Sequence, residues 1–298
     1  MKFDVVIGNP PYQDANNDKK MLWNSFTDIA VKYTKANGII SLITPTSWLR
    51  AKSNIHNSYS LFEDYQVEKA VIYAKDNTPF PGVGSTISYH ITHKRPKSGP
   101  TCVYYNEWST GEQTFVGNID LLEEKIWPSD MSNIALSVHN KLKKFDKIIF
   151  EKSCEFHNQK LKQKGLVNDS KSDVYKFTHH VSAAITRFTS VKFSKHSAWK
   201  VMVPVTSTID KAVVDNECGH GEDMFTVYCS NQTSALNIAN VLRSDAYKFI
   251  GRFYKSGRNQ ILQGVFPVVD FNKQWTTNEL FDLFGFTDEE KEYARLFR

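Results

Sequence analysis

An amide and an aromatic ring stand three residues apart near the start of the chain, in a turn whose residue types could bind and orient a ligand. The apolar, β-branched run F-D-V-V-I at positions 3–7 leads through a glycine into the N-P-P-Y turn at Asn9–Tyr12. Two consecutive prolines stop a strand or a helix from continuing. We therefore expect a rigid loop that holds the Asn9 amide, which can hydrogen-bond, beside the Tyr12 ring, which can stack.

The run at 3–7 is apolar on both of its faces, which is typical of a strand buried on both sides of a parallel sheet. The turn then lies at the carboxyl end of that strand, where open α/β sheets bind their ligands. A proline-rich turn without any ligand is the alternative that the four turn residues leave open. The elements that follow bear on this choice.

The sequence F-D-V-V-I-G-N-P-P-Y resembles the Asn-Pro-Pro-Tyr signature of DNA methyltransferases that modify the exocyclic N6 of adenine. An aryl amine is a poor nucleophile, because its lone pair is delocalised into the ring. The resemblance implies that Asn9 and Pro10 accept hydrogen bonds from the two amine N–H groups, through the amide oxygen and the main-chain carbonyl. It also implies that Pro11 completes the catalytic turn and that Tyr12 stacks on the adenine after the base has been flipped out of the duplex.

A helix and a second strand follow the turn. Residues 22–35 carry apolar side chains near helical spacing, at Leu22, Phe26, Ile29, Ala30 and Tyr33. Positions 39–43 form another apolar run, so the pattern predicts two parallel strands joined by a right-handed crossover helix. The segment G-I-I-S-L-I-T-P-T-S-W-L resembles the family's next strand and its Pro-Ser loop.

Two further strands are predicted at 66–74 and 86–93, with a loop between them that contains Phe80. The family resemblance implies that Phe80 packs against the flipped base, and local packing of the ring within the loop is the alternative. His90 and His93 are three residues apart on an alternating strand. We therefore expect them to point to opposite faces, where they cannot chelate a metal together.

The composition is that of an ordinary globular chain of 298 residues, with a formal net charge of +5 and a pI near 8.8. Such mild basicity is compatible with nucleic acid binding but does not require it. Four widely spaced cysteines indicate reduced thiols in a cytoplasmic protein. The family resemblance implies a bacterial or phage origin. The start does not resemble a signal peptide, and no apolar run is long enough for a membrane helix.

The proline, glycine and charge of positions 95–100 are typical of a linker, so we place a domain boundary between 97 and 98. Positions 141–211 hold fifteen Lys or Arg against six Asp or Glu. Aromatic residues are interleaved with them, namely Phe145, Phe177, Phe188, Phe193 and Trp199. This mixture suits a surface that follows phosphates and stacks bases, although a solvated face over core aromatics is the alternative.

Positions 249–271 resemble the end of the target-recognition region of adenine methyltransferases from restriction-modification systems. Within them, Lys255, Arg258, Asn259 and Gln260 are residue types that contact phosphates and the edges of guanine and adenine. The C-G-H-G sequence at 218–221 and Cys229 could suggest zinc. Only three ligand types cluster there and the stretch is typical of a hairpin turn, so we expect no metal site.

The resemblance also implies S-adenosylmethionine as the methyl donor. In the family order that the later motifs follow, the glycine-rich cofactor loop precedes the N-P-P-Y turn, and here only residues 1–8 precede it. None of the fourteen glycines combines a preceding buried strand with a following helix. We therefore expect the cofactor to be bound mainly by a second polypeptide that carries the missing half.

The sequence thus predicts an α/β chain with a partial Rossmann-like methyltransferase sheet followed by an α+β target-recognition domain. Residues 1–97 would form the catalytic half, and residues 98–298 would recognise double-stranded DNA. The expected activity is site-specific DNA adenine N6-methylation, carried out together with a partner. The alternative is a DNA-binding specificity subunit, or a truncated remnant or decoy, that keeps the base pocket and performs no chemistry.

Overall fold

The computed structural model describes most of the chain. The described residues are 1–14, 17–49, 63–73, 79–80, 86–107, 110–121, 123–124, 126–128, 130–152, 157–182, 184–254 and 261–296. They divide into two compact units, Met1–His139 and Asn140–Arg298.

The described residues of the first unit form eight strands, β1 (Phe3–Gly8), β2 (Gln13–Asp14), β3 (Asn17–Met21), β4 (Thr34–Pro45), β5 (Gln66–Tyr73), β6 (Ile87–His93), β7 (Thr101–Glu107) and β8 (Glu112–Ile119). Helix α1 (Trp23–Tyr33) lies between β3 and β4, and helix α2 (Asn133–Leu142) runs across the division between the units. A short 3₁₀ helix, Thr46–Leu49, follows β4.

Six of these strands form one mixed sheet in the order β1-β4-β6-β5-β7-β8. Strand β1 runs parallel to β4, which confirms the predicted strand, helix and parallel strand. The predicted strands at 66–74 and 86–93 are confirmed as β5 and β6, which pair antiparallel. Gly38 allows β4 to approach the start of β1, since a Cβ at this position would lie 2.8 Å from the carbonyl oxygen of Asp4.

The burial of β1 differs from its prediction as a strand covered on both faces. Val6 packs against the core of the unit, but Phe3, Val5 and Ile7 on the opposite face are 47%, 52% and 75% exposed. β1 is also an edge strand of the sheet, and its outer face is only partly covered by the described residues.

Helix α1 also buries a different face from the expected one. Trp23, Asn24, Thr27 and Ala30 face inward, whereas Phe26, Ile29 and Tyr33 are 39%, 48% and 41% exposed. The helix also ends two residues earlier than predicted, because β4 already begins at Thr34. The apolar spacing identified a helix here, but it did not identify the side that packs on the sheet.

The division between the units falls between 139 and 140, so the boundary predicted between 97 and 98 does not coincide with it. The reason is that the chain continues the first sheet after the proposed linker. Strand β7 pairs parallel with β5, and β8 pairs antiparallel with β7. The loss of a simple strand and helix alternation therefore did not mark the end of the sheet.

The second unit contains two four-stranded sheets, ordered β10-β12-β11-β15 and β14-β13-β16-β9. Their strands are β9 (Glu151–Lys152), β10 (Val167–Asn168), β11 (Phe177–His180), β12 (Thr186–Thr189), β13 (Lys200–Pro204), β14 (Val213–Asp215), β15 (Cys218–His220) and β16 (Met224–Tyr228). The helices are α3 (Asn158–Gln163), α4 (Gln232–Arg243), α5 (Asp245–Phe253), α6 (Thr277–Leu283) and α7 (Asp288–Leu296).

The helices of the second unit surround an aromatic core that includes Tyr247, Phe249, Phe266 and Phe281, all buried. Strong end signals place the helices: Asn231 caps α4, and Thr276 with Glu279 forms a capping box on α6. The mixed sheets and packed helices confirm the predicted α/β fold class. Among the described residues, no helix is both long and apolar enough to cross a bilayer.

Tyr247 allows a test of how the second unit is held together. Its ring stacks on Phe266, and its hydroxyl donates a 2.6 Å hydrogen bond to the carbonyl of Pro267 in a fully buried position. Tyr247→Phe should keep the packing but leave a buried carbonyl without this donor. We expect the free energy of unfolding to fall by about 1–3 kcal/mol, measured by urea denaturation.

Tyr175→Phe is the matched control for this experiment. The Tyr175 hydroxyl donates to the Gly165 carbonyl at 2.8 Å in a partly exposed position, where water can replace it. The control should change the free energy of unfolding by no more than about 0.5 kcal/mol. Equal effects of the two substitutions would contradict the role assigned to the Tyr247 hydroxyl.

Candidate functional site

The N-P-P-Y turn lies where the sequence placed it, at the carboxyl end of a parallel strand. Gly8 pairs with Leu42 in the register of β1 and β4. Both strands therefore run out at the same edge of the sheet, β1 into Asn9–Tyr12 and β4 into the 3₁₀ helix at Thr46–Leu49. Ligands of α/β proteins bind at this kind of edge.

The turn joins the Asn9 amide to the Tyr12 ring directly. The Tyr12 hydroxyl donates a hydrogen bond to Asn9 Oδ1 at 3.1 Å. An amide oxygen has two lone pairs, so Oδ1 keeps one for a ligand. Asn9 is exposed, which leaves its oriented amide accessible to a ligand.

The other residues of the turn anchor it to the body of the unit. Pro10 is buried, and Pro11 is exposed. Tyr12 is half-buried against the core, and this burial raises the pKa of its phenol above the ordinary value of 10. The main-chain carbonyl of Tyr12 accepts a 3.1 Å hydrogen bond from the amide of Leu22, just before α1. The turn is therefore fixed by β1 on one side and by α1 on the other.

The segment after β4 is held by buried polar contacts. Trp48 donates through its indole nitrogen to Ser88 Oγ at 3.0 Å, and Ser88 Oγ donates to the carbonyl of Thr44 at 3.3 Å. The Trp48 ring also meets the His90 ring edge to face, with centroids 6.2 Å apart. Together these bonds fix the 3₁₀ helix at the same edge of the sheet as the N-P-P-Y turn.

His90 and His93 lie in different surroundings. His90 is buried, which lowers its pKa to about 4, and its Nδ1 lies 2.9 Å from Thr92 Oγ1. His93 Nε2 instead forms a hydrogen bond with a carboxylate oxygen of Glu68. His90 is therefore neutral at pH 7, with a polar partner inside the sheet.

The remaining predicted site residues are less completely described. Phe80 is half-buried, but the loop residues on either side, 74–78 and 81–85, lie outside the described residues. Lys255, Arg258, Asn259 and Gln260 lie wholly outside them. The roles of Phe80 and of these four residues stay predictions.

The aromatics of the basic region at 141–211 serve largely to pack the second unit. Phe193 is buried with its ring centroid 5.1 Å from that of His220, and Phe145 meets Phe284 edge to face at 5.2 Å. Phe177 packs in the same way on His196, at 5.5 Å. The prediction that these rings lie on a base-stacking surface is therefore wrong for Phe193, which is buried within its own unit.

Lys200 was counted in that basic region, but it is fully buried. Its ammonium donates to the carbonyls of His196 at 2.9 Å and of Cys218 at 3.0 Å. Charge counted along a sequence does not distinguish such a residue from a surface lysine. Lys160, Lys162 and Lys164, in contrast, are exposed on or beside α3.

The sequence analysis missed one constellation in the second unit. His180, Asp215 and Cys218 each bring a possible metal-ligating atom within 4.8 Å of the others. The weak signals were the adjacent histidines at 179–180 and the three-residue separation of Asp215 from Cys218. Neither indicates a site until β11 and β15 pair, because the pairing brings distant parts of the chain together.

One family model matches the beginning of the chain. Residues 1–80, which contain the N-P-P-Y turn, match the family model described as Eco57I restriction-modification methylase. No curated protein matches the chain.

Several solved structures resemble the chain at low sequence identity. The Type IIL restriction-modification enzyme MmeI in complex with DNA is 12% identical, with a TM-score of 0.46 over 88% of this chain and 45% of that chain. The type IIG restriction endonuclease BpuSI is 10% identical, with a TM-score of 0.37 over 99% of this chain and 49% of that chain. The DrdV-DNA complex is 9% identical, with a TM-score of 0.41 over 98% of this chain and 43% of that chain. This chain thus spans less than half the length of each.

Proposed function

We propose that this chain supplies the catalytic turn and the target-recognition part of a DNA adenine N6-methyltransferase. The observation that carries the proposal is the geometry of Asn9 and Tyr12 at the carboxyl end of β1. The family match over residues 1–80 supports the same reaction class.

The proposed chemistry follows from the hydrogen-bonding capacity of the turn. The free lone pair of Asn9 Oδ1 and the carbonyl oxygen of Pro10 accept hydrogen bonds from the two N6–H groups, which localises the nitrogen lone pair for attack. The hydroxyl of Tyr12 orients the Asn9 amide, while its ring stacks on the flipped base. One aromatic residue thus positions both the acceptor and the substrate.

The methyl donor of the proposed reaction is S-adenosylmethionine. Among the described residues, the glycines with left-handed backbone are Gly111, Gly117, Gly165, Gly264 and Gly285. None of them lies in a turn from a parallel strand into a helix, where the cofactor loop of such a fold is built. We propose that a second polypeptide binds the cofactor.

The open side of β1 supports this second polypeptide. Among the described residues no strand pairs with its outer edge, and its outer face exposes Phe3, Val5 and Ile7. An exposed apolar edge strand is prone to aggregation unless another element covers it. We propose that strands of the partner pair with this edge and complete the sheet in an obligate heterodimer.

Double-stranded DNA is the proposed substrate, and the second unit is the proposed reader of its sequence. Exposed lysines such as Lys160, Lys162 and Lys164 can neutralise phosphates. Base reading is assigned to positions 255–260 on residue type alone, with Arg258 as the residue suited to a guanine edge.

Asn9→Ala tests the catalytic role. It should lower the methylation rate about 10²-fold or more, because a preorganised acceptor is lost, while DNA affinity stays nearly unchanged. The assay measures transfer of labelled methyl to duplex DNA by this chain together with the polypeptide that carries the cofactor half. Gln13→Ala removes a nearby exposed amide and should leave the rate unchanged. An unaltered rate in Asn9→Ala would refute the assignment.

Three substitutions separate the two roles of Tyr12 and test Phe80. Once the methylated adenine has been mapped, 2-aminopurine at that position should fluoresce more strongly when the complete enzyme flips it. Tyr12→Phe should keep this signal but lower the methylation rate, because only the bond to Asn9 is lost. Tyr12→Ala and Phe80→Ala should each lower DNA affinity by a stacking contribution of about 1–3 kcal/mol. A signal unaltered in both alanine variants would exclude the rings from the pocket.

The partner surface is tested with two matched isoleucines. Ile7 is 75% exposed on β1, and Ile149 is 85% exposed in the second unit. Ile7→Arg should weaken heterodimer formation by at least about tenfold, since it places an unpaired charge in an apolar interface, whereas Ile149→Arg should not. The isolated chain should bind no S-adenosylmethionine in calorimetry. Tight cofactor binding by the isolated chain would contradict the proposal.

DNA reading is tested by salt titration of binding by the full chain. The logarithm of affinity should fall by about 0.9 per phosphate contact for each decade of salt. Arg258→Ala should relax sequence preference, whereas Lys255→Ala should weaken binding to all duplexes alike. If both variants lost affinity equally on every sequence, Arg258 would be a phosphate contact.

A further inference from the structure

We propose that the second unit holds a zinc ion between His180, Asp215 and Cys218. One side chain comes from the end of β11, one from the end of β14 and one from the start of β15. Their ligand atoms lie within 4.8 Å of one another. This inference replaces the sequence-based expectation of no metal, and it does not depend on the proposed methyltransferase function.

The ligand types are those that zinc selects. Imidazole nitrogen, thiolate sulfur and carboxylate oxygen all bind zinc, at about 2.0–2.3 Å. Ligands at such distances in a tetrahedral site lie roughly 3.5 Å apart. His180 Nε2 and Asp215 Oδ2 are already 3.1 Å apart, so small side-chain rotations bring the three atoms around one ion.

Neighbouring groups orient two of the ligands. Asp215 Oδ1 accepts a 2.7 Å hydrogen bond from the main-chain amide of Glu217, which leaves Oδ2 directed at His180. His180 Nδ1 lies 3.3 Å from Thr186 Oγ1, so Nε2 is the nitrogen available for the ion. Metal-binding histidines usually have such a partner for the second ring nitrogen, which fixes the tautomer.

The third ligand faces the ion from inside the unit. Cys218 is buried, whereas the side chains of His180 and Asp215 are 12% and 27% exposed. Lys200 Nζ lies 4.0 Å from the Cys218 sulfur, but its ammonium already donates to two main-chain carbonyls. With three protein ligands and access from solvent, a water molecule completes the tetrahedral set.

The residues that the sequence suggested for zinc have other partners. His220 Nε2 lies 3.0 Å from Thr226 Oγ1 and 3.3 Å from the Tyr228 hydroxyl, inside the unit. Cys229 Sγ contacts the carbonyl of Val227 at 3.7 Å. Of the C-G-H-G sequence, Cys218 alone belongs to the proposed site, and Cys229 offers a matched control.

Metal content and cobalt spectroscopy of the full chain test the proposal. The chain purified without an affinity tag should carry about one zinc per molecule by elemental analysis. After chelation, added Co²⁺ should give a thiolate-to-cobalt charge-transfer band in the near ultraviolet. Cys218→Ser should lose this band, and Cys229→Ser should keep it. Wild-type chain without zinc and without the band, or a band that survives Cys218→Ser, would overturn the proposal.

Two partly exposed positions keep the test decisive if Cys218→Ser fails to fold. Asp215→Asn should weaken zinc binding by at least about tenfold. Thr186→Val should weaken it by about 10–100-fold, because it removes the second partner of His180. Far-ultraviolet circular dichroism without metal should match the wild type for both variants. Unchanged zinc affinity in both folded variants would overturn the site.

Discussion

The parallel pairing of β1 with β4 is the constraint on which the candidate site depends. It places the carboxyl ends of both strands at one edge of the sheet, so that the turn at Asn9–Tyr12 and the 3₁₀ helix at Thr46–Leu49 lie at that edge. Close approach of the strands needs Gly38, where any Cβ would meet main-chain and side-chain atoms. Given this pairing, two prolines and one hydrogen bond are enough to hold an amide oxygen and an aromatic ring in fixed positions.

The same strand that carries the turn also has an exposed apolar face. Val6 faces the core, and the alternate residues Phe3, Val5 and Ile7 face outward. Helix α1 adds a second exposed apolar group through Phe26, Ile29 and Tyr33. Exposed apolar surface of this kind is typical of an interaction site, and this is the physical basis for proposing a partner that completes the sheet.

The second unit shows how far burial changes the meaning of polar residues. Lys200, His179 and His220 are all buried, and burial lowers the pKa of both histidines to about 4. The two histidines are therefore neutral imidazoles, and the Lys200 ammonium is bonded to main-chain carbonyls inside the unit. None of the three contributes charge to the surface. Next to them, His180 and Asp215 keep contact with solvent, whereas Cys218 does not. The proposed ion site is therefore accessible from solvent, in contrast to the buried polar groups beside it.

Local features of the sequence determined the elements near the site. Proline restricts φ and β-branched residues favour extended backbone, so the turn, the strands at 3–8, 66–73 and 87–93 and the presence of α1 could all be predicted. Only the tertiary structure decided which apolar faces are covered, that β7 and β8 extend the first sheet, that Lys200 is buried, and that His180 meets Asp215 and Cys218. Each of these outcomes depends on pairing between residues far apart in the chain, and neither propensity nor periodicity encodes which distant strand a segment will meet.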